Sequence, residues 1–433
     1  MILTKRLLPV VGVMGIAALS ACGTSSTSSS SSGGGGGNLA SCQGTFTVAT
    51  DLPLTGGDAT DGPPVEKAAH LAVTQALANK TLGGCTLKYV SKDDATVLKN
   101  GHDPAQGAAN ITALSGDSSV VGVVGPFNSS VAVAEIPIAS QNHLPLISPA
   151  NTNPGLTQAG TSASIDTNSL YPGVHSYFRT IGTDITQGEI LAYVATKELN
   201  FTKAYAIDDQ ETYGKGLSTF FQKSFTADGG TIVGTASLPG TTKQFQTQVA
   251  DAQSKGAQVI FFGGTSGNGC GILRSQMPAS IPELGGDGCQ DNKFITDAAS
   301  NAAGAQVTSA PDASKLPTAT KFYSDFKSTY NEDGTESPYT PYGFDGMNAL
   351  IQAIKAVLTA NNGQPPTDPM TFRDSVAQQL HKLNYPGATG TVAFDKNGDT
   401  TQPGFSLYTI NGTAWAPKQL LTADASGKVT VAS

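Results

Sequence analysis

Charge is scarce in this chain. Lysine, arginine, aspartate and glutamate make up only 13% of its 433 residues, and the formal net charge is −8. No basic cluster is present, which excludes the electrostatic footprint that nucleic acid or anionic lipid head groups require. Past the N-terminal region no apolar run is long enough to cross a bilayer. The five histidines (70, 102, 143, 175 and 381) are scattered and no C-x-x-C occurs, so zinc lacks a ligand set of its usual spacing. Enzyme signatures are missing as well. Gly264-Thr265-Ser266-Gly267-Asn268 fails the G-x-S-x-G elbow at its last position. There is no Walker A motif, H-E-x-x-H or G-x-G-x-x-G. Ser324-Asp325-Phe326-Lys327 matches S-x-x-K but lies in an amphipathic pattern with Phe322 and Phe326, which reads as a solvated helix face. No catalysis, metal or cofactor is expected.

What the chain does have begins at its N-terminus. Lys5 and Arg6 lead into an apolar run from Leu7 to Leu19, ending in Leu19-Ser20-Ala21-Cys22. The charged start and short apolar run are those of a secretory signal, too short for a membrane span. Leu-Ser-Ala-Cys resembles the lipobox of bacterial lipoproteins, which implies diacylation of Cys22; an ordinary signal with a chance Cys is the alternative. Residues 24–37 are Thr, Ser and Gly alone, with no apolar side chain to bury, and are expected to form a flexible tether. Everything downstream is then extracytoplasmic and held to the bacterial cell membrane only by lipid.

Four further cysteines, an even number, stand in a compartment that permits disulfides. Proximity favours Cys42–Cys85 and Cys270–Cys289 among the three pairings. From Phe46 onward short β-rich runs alternate with helical patterns. Strands are expected at Phe46–Leu52, Thr86–Val90, Val120–Gly125 and Leu144–Ser148, with helices over Pro64–Ala78, Pro104–Ser115 and Ser130–Asn142. The rhythm repeats with helices at Ile185–Leu199, Gly216–Ala227 and Gln244–Lys255. Its strands are Ala204–Asp208, Thr231–Ala236, Gln258–Gly263 and Phe294–Thr296. Gly160–Val174 between the two runs is polar and fits an insertion or mobile loop. Amphipathic helices follow at Lys321–Tyr330, Asp345–Thr359 and Thr371–Leu383, then a Gly-rich β tail. The pattern predicts an α/β protein of two lobes, each a parallel sheet with helices on both faces.

Small polar residues cluster where such sheets place ligands, at strand C-termini. Three segments stand out: Gly125-Pro126-Phe127-Asn128-Ser129-Ser130, Ile147-Ser148-Pro149-Ala150-Asn151-Thr152-Asn153-Pro154, and Asp208-Asp209-Gln210-Glu211-Thr212-Tyr213-Gly214-Lys215-Gly216. A helix N-terminus with hydroxyls nearby suits a carboxylate. Helix and turn capping by Ser129 and Thr152 is the alternative.

The motifs G-P-x-x-S, I-S-P-A-x-T-x-P and D-x-x-x-Y-G-x-G resemble the type I periplasmic binding proteins, nearest the leucine/isoleucine/valine-binding proteins of ABC importers. The resemblance runs in order from Thr45 to about Ala303 and more loosely beyond. It implies two Rossmann-like lobes joined by a three-crossover hinge, with the ligand between them. The implied boundaries are a signal at 1–21, a lipidated tether at 22–43, a first lobe at 44–178 and 305–390, and a second at 179–304 and 391–433. Ser129, the backbone of Ala150 and Thr152 are implied to hold a ligand carboxylate. Tyr213 is implied to close from the second lobe and Asp297 to pair with an ammonium. Two departures stand out: Thr55–Gly62 carries no aromatic, and Thr265 replaces another. The implied pocket is larger or more polar than one made for leucine. The implied function is a monomeric solute-binding lipoprotein that captures an amino acid, of branched-chain type or a similar carboxylate-bearing small molecule, by cleft closure and hands it to ABC permease subunits. A ligand-sensing subunit for a membrane receptor is the alternative, and an exported hydrolase lacks its nucleophile set.

Overall fold

The computed structural model describes residues 39–162 and 164–432. The predicted signal, Cys22 and most of the tether lie outside them. The tether ends sooner than expected. Leu39–Ser41 form one helical turn and Cys42 is buried, so residues 39–43 belong to the folded body.

The chain runs through β1 (Thr45–Leu52), α1 (Gly62–Ala78), β2 (Thr86–Asp93), a short hairpin of β3 (Ala95–Thr96) and β4 (Gly101–His102), then α2 (Pro104–Gly116). It continues with β5 (Val120–Val124), α3 (Ser129–Gln141), β6 (Leu146–Ser148), α4 (Thr167–Leu170) and β7 (Tyr177–Arg179). Five of these strands make one parallel sheet in the order β2-β1-β5-β6-β7. Val-Val-Gly-Val-Val of β5 is wholly buried, as an uninterrupted apolar run requires of a strand covered on both faces. Asp103 caps α2 by accepting from the Ala105 amide, with Pro104 at its first position. The segment read as an insertion or mobile loop is tied down. Ile165 and Leu170 are buried, and Tyr171 Oη donates to the Leu156 carbonyl at 2.6 Å.

A second alternation follows: α5 (Asp184–Tyr193), β8 (Lys203–Asp208), α6 (Thr212–Ala227), β9 (Thr231–Ser237), α7 (Gln246–Ser254) and β10 (Val259–Gly263). Next come α8 (Cys270–Gln276), β11 (Glu283–Gly285), α9 (Asn292–Ala298) and β12 (Ala305–Ser309). Here the sequence reading needs correcting. Phe294–Thr296 is helix, not strand, and β11 and β12 went unread. Because β12 pairs with β11, the expected lobe boundary at 304/305 moves beyond Ser309.

The chain then returns to the first sheet with α10 (Thr320–Tyr330), α11 (Thr340–Ala360), α12 (Pro369–Leu380) and a hairpin of β13 (Asn384–Gly387) and β14 (Gly390–Ala393). Met347, Leu350 and Ile354 of α11 share one core with Val48 and Val121, and Phe372 of α12 packs edge-on against Phe46. Arg373 carries this packing without an acid. Its guanidinium donates to the carbonyls of Val120, Asn142, Ser115 and Asp117 at 2.8–3.1 Å. The last strands, β15 (Phe405–Asn411), β16 (Ala414–Ala423) and β17 (Val429–Val431), extend the second sheet antiparallel, giving β17-β16-β15-β12-β11-β10-β8-β9.

The chain thus crosses between sheets after Arg179, after Ser309 and after Ala393. Arg179 and Asp399 join the first and third crossovers by a buried ion pair, Nε to Oδ1 at 2.6 Å. The Arg179 amide also donates to the Gly398 carbonyl at 2.9 Å. Each sheet carries one disulfide. Cys42–Cys85 joins the starts of β1 and β2 (Cα–Cα 5.0 Å), and Cys270–Cys289 joins the loops leaving β10 and β11 (Cα–Cα 5.9 Å).

Candidate functional site

In each sheet the strand order reverses at its first strand, with β1 between β2 and β5, and β8 between β9 and β10. Ligands of open α/β sheets bind at that reversal, outside the strand C-termini. The loops leaving there line one cleft. Phe127, Asn128, Ser129 and Ser130 follow β5, and Ala150 and Thr152 follow β6. Asp209, Glu211 and Tyr213 follow β8, Thr265 and Asn268 follow β10, and Asp287 and Gly288 follow β11. His102 of β4 and Tyr339, just before α11, complete the lining. A roomier cavity lies at the crossovers, lined by Pro311, Leu316, Val392 and Leu420 among others. The smaller cleft is the candidate site, because there unused donors face a buried acid.

The donors belong to the first lobe. Gly125 has φ +141°, and a Cβ there would overlap the Asp51 carbonyl, so the turn that aims α3 at the cleft requires glycine. Asn128 offers α3 no side-chain cap, and the first helical amide in use is that of Ala132, bonded to the Asn128 carbonyl at 3.0 Å. The amides of Ser129, Ser130 and Val131 are unpaired among the described residues. Ser129 is 2% exposed, and the buried Thr152 Oγ1 makes no close hydrogen bond, the Asp184 carboxylate being the acid beside it. Ala150 lines the cleft, but its amide lies 3.2 Å from Ser148 Oγ, which also receives the Asn151 amide at 2.9 Å. The donor expected of Ala150 is therefore already engaged.

The acid belongs to the second lobe, and it is not Asp297. That residue ends α9 in an ion pair with Lys293 at 2.7 Å and does not line the cleft. The α9 helix starts at Asp291, whose carboxylate accepts from the Phe294 amide at 2.8 Å. Three acids line the cleft from this lobe, Asp209, Glu211 and Asp287, and Asp287 is the one held by the tyrosines. Tyr213 Oη donates to its Oδ1 at 2.6 Å and Gln187 Nε2 to the same oxygen at 2.9 Å, while the Tyr339 hydroxyl donates to Oδ2. Burial pushes the Asp287 carboxyl up, and these three donors pull it partly back. The Gly288 amide donates to Tyr213 Oη at 3.2 Å. Gly286 makes room for this network, since a Cβ there would strike the side chains of Leu217, Gln187 and Tyr213.

The far end of the cleft is polar. His102 Nδ1 lies 2.8 Å from Asp58 Oδ2, and the same carboxylate receives the His102 amide at 3.0 Å. Burial opposes the imidazolium, but Asp58 outweighs it and lifts the imidazole to about 9. Asp209 is raised to about 7 by burial, although Asn268 Nδ2 (2.8 Å) and the Glu211 amide (3.0 Å) donate to it. Phe127 and Tyr339 pack edge to face at 5.0 Å, so the aromatic surface missing from Thr55–Gly62 and Thr265 enters from elsewhere. Sequence reasoning passed over Asp287, His102, Asn268 and Tyr339, and held Glu211 only as part of the segment after β8. Gly-Gly-Asp-Gly after a short apolar run was the signal available for the first.

The family model described as periplasmic binding protein matches residues 45–414. A Leu/Ile/Val-binding protein homolog 3 of Brucella melitensis is 30% identical over 370 residues, 84% of this chain and 90% of that protein. The Leu/Ile/Val-binding protein BraC3 of Rhizobium johnstonii is 28% identical over 84% of this chain and 91% of its own length. Among solved structures, a branched-chain amino-acid substrate-binding protein of Streptococcus pneumoniae in complex with isoleucine superposes with TM-score 0.72 at 22% identity, covering 90% of this chain and all (100%) of its own. A solute-binding protein of R. palustris in complex with benzoate superposes with TM-score 0.69 at 19% identity, covering 87% and 96%.

Proposed function

The chain belongs to the periplasmic binding protein family, a family of solute-binding proteins rather than enzymes, and from that premise we propose that it captures a free amino acid for an ABC importer. One observation carries the reading: unpaired buried donors on one wall of the cleft face a buried carboxylate on the other. The α3 amides with Ser129 and Thr152 receive the ligand carboxylate. Asp287 receives the ammonium, a role the sequence reading gave to Asp297. Isoleucine and benzoate, held by the two neighbours described above, share a carboxylate; only the first has an ammonium for such an acid. His102, Glu211 and Asn268 favour a polar side chain over the branched aliphatic one. Closure follows from differential contact: the first lobe binds the carboxylate, and the second gains its contacts only when the cleft shuts.

The expected setting is extracytoplasmic, with Cys22 lipidated and the Ser/Gly segment spanning the gap to permease subunits. Cys22→Ala is expected to release the domain from the membrane fraction; unchanged processing and membrane retention would count against the anchor. Ligand class is tested by thermal shift against the twenty amino acids, their amides, benzoate and short dicarboxylates. An amino acid at a hundred times its dissociation constant should stabilise the protein by ~2.7 kcal/mol. If only sugars or neutral amides raise the melting temperature, the carboxylate site is wrong.

A further inference from the structure

Beneath the first-lobe wall of the cleft three carboxylates converge. Asp51 lies at the end of β1, Asp94 follows β2, and Glu135 lies within α3. One oxygen from each lies within 4.8 Å of the other two, and all three residues are 0% exposed. Asn110 Nδ2 donates to Asp51 Oδ1 at 2.8 Å. The five remaining oxygens, Asp51 Oδ2 and both of Asp94 and Glu135, are buried with no donor from the rest of the protein, and Asp51 and Glu135 satisfy each other only by sharing a proton. Native folds seldom leave one buried polar atom unsatisfied, and each isolated buried charge costs several kcal/mol. Five acceptors at one point call for a shared partner. The two cationic side chains that act on the cluster do not supply it: Lys92 makes no hydrogen bond to it, and His102 Nδ1 is committed to Asp58.

We propose that Asp51, Asp94 and Glu135 form a site for one hard divalent cation of the calcium class inside the first lobe. The donor set is entirely oxygen, which suits calcium, magnesium or manganese and not metals that prefer thiolate or imidazole. Calcium–oxygen distances of ~2.3–2.6 Å put ligands on opposite sides of the ion ~4.6–5.2 Å apart, which covers the observed spread. Carboxylates that bind through both oxygens would raise the coordination number. The ion would join three segments that shape the cleft: the exit of β1, the hairpin that carries His102, and the helix whose first turn carries Ser129. The competing occupant is the proton, since neutral carboxyls would hydrogen-bond to one another.

The test uses the full exported protein, purified without chelator. Metal content by inductively coupled plasma mass spectrometry is expected to be close to one equivalent. After EDTA treatment, calcium at ~10 mM, above the ~10⁻⁴–10⁻³ M dissociation range of extracellular sites, should raise the melting temperature by several degrees. The double variant Asp94→Asn/Glu135→Gln should lose both the metal and the shift. Wild-type metal content alone decides the matter if that variant does not fold. Substoichiometric metal with no calcium, magnesium or manganese shift overturns the proposal, as does a shift of equal size in wild type and variant. Glu135→Gln melting at or above wild type with no metal dependence assigns the cluster to shared protons and overturns it too.

Discussion

On the first-lobe wall of the cleft, the amides of Ser129 to Val131 have no protein acceptor among the described residues, whereas on the second-lobe wall Asp287 already holds Tyr213, Tyr339 and Gln187. A wall of unpaired donors has a standing desolvation cost that an anion relieves directly. A wall with its acid already solvated by protein groups must share those donors with a cation. On the proposed reading the difference sets an order of events: the open donors would select a carboxylate first, and the completed network would then test for an ammonium.

Removing the acid should break the contrast most. Asp287→Ala takes the shared acceptor from two tyrosines and an amide and should weaken amino-acid binding by ~2–5 kcal/mol, about 30- to 4,000-fold. Calorimetry with an amino acid and with a carboxylate lacking an ammonium sharpens it: only the first should lose this much. Equal losses would mean that the second wall does not read the ammonium.

The disulfides compare the lobes next. Each should be worth ~2–4 kcal/mol of stability, slightly more for the wider loop; the sequence separations are 43 and 19 residues. Cys42–Cys85 lies at the strand ends away from the cleft, so Cys42→Ser/Cys85→Ser should lower the melting temperature and leave affinity alone. Cys270–Cys289 joins the loops carrying Asn268 and Asp287, so Cys270→Ser/Cys289→Ser should cost affinity as well. Calorimetry and denaturant melts on both pairs check the difference.

Ser129→Ala on the donor wall is a smaller step. One hydrogen bond to a charged acceptor is worth ~1.5–3 kcal/mol, so affinity should fall about ten- to a hundredfold. The empty protein should melt unchanged, because Ser129 makes no side-chain bond among the described residues in its absence.

The smallest effect is in pH. His102 is raised from 6.5 to about 9 by Asp58, so its share of stability is full below 6.5 and is lost as pH rises through 9. Asp58 is lowered from 3.8, so its share is present above that value and lost as pH falls through its folded pKa. The melting difference between wild type and His102→Asn should peak between these limits, near pH ~5–6, and shrink on either side. A difference that does not vary with pH would mean the pair does not form.

Most of both sheets was legible because the strands are buried on both faces and read as apolar runs between glycines, as β5 and β10 do. Two strands of the second sheet, β11 and β12, were not. β11 is three residues long, too short for any period, and its loss hid Asp287 two residues on. Phe-Ile-Thr in α9 has strand composition, while its helix signals, the Asp291 cap and the Lys293–Asp297 pair at i,i+4, are local and polar. Ser129, Thr152 and Tyr213 were found because each sits one step beyond a recognisable strand. His102 and Tyr339 reach the cleft from a two-residue strand and from a helix entrance far along the chain from β8, and only tertiary packing brings them there.

The Arg179–Asp399 pair constrains how the lobes can move. Its partners stand on different crossovers and are buried, so sliding one crossover past the other would strand a charge at a cost of ~3–5 kcal/mol. Bending the two together leaves the pair intact. The pair therefore fastens the third crossover to the end of β7, where the first begins, so these two of the three links between the lobes have to move as one.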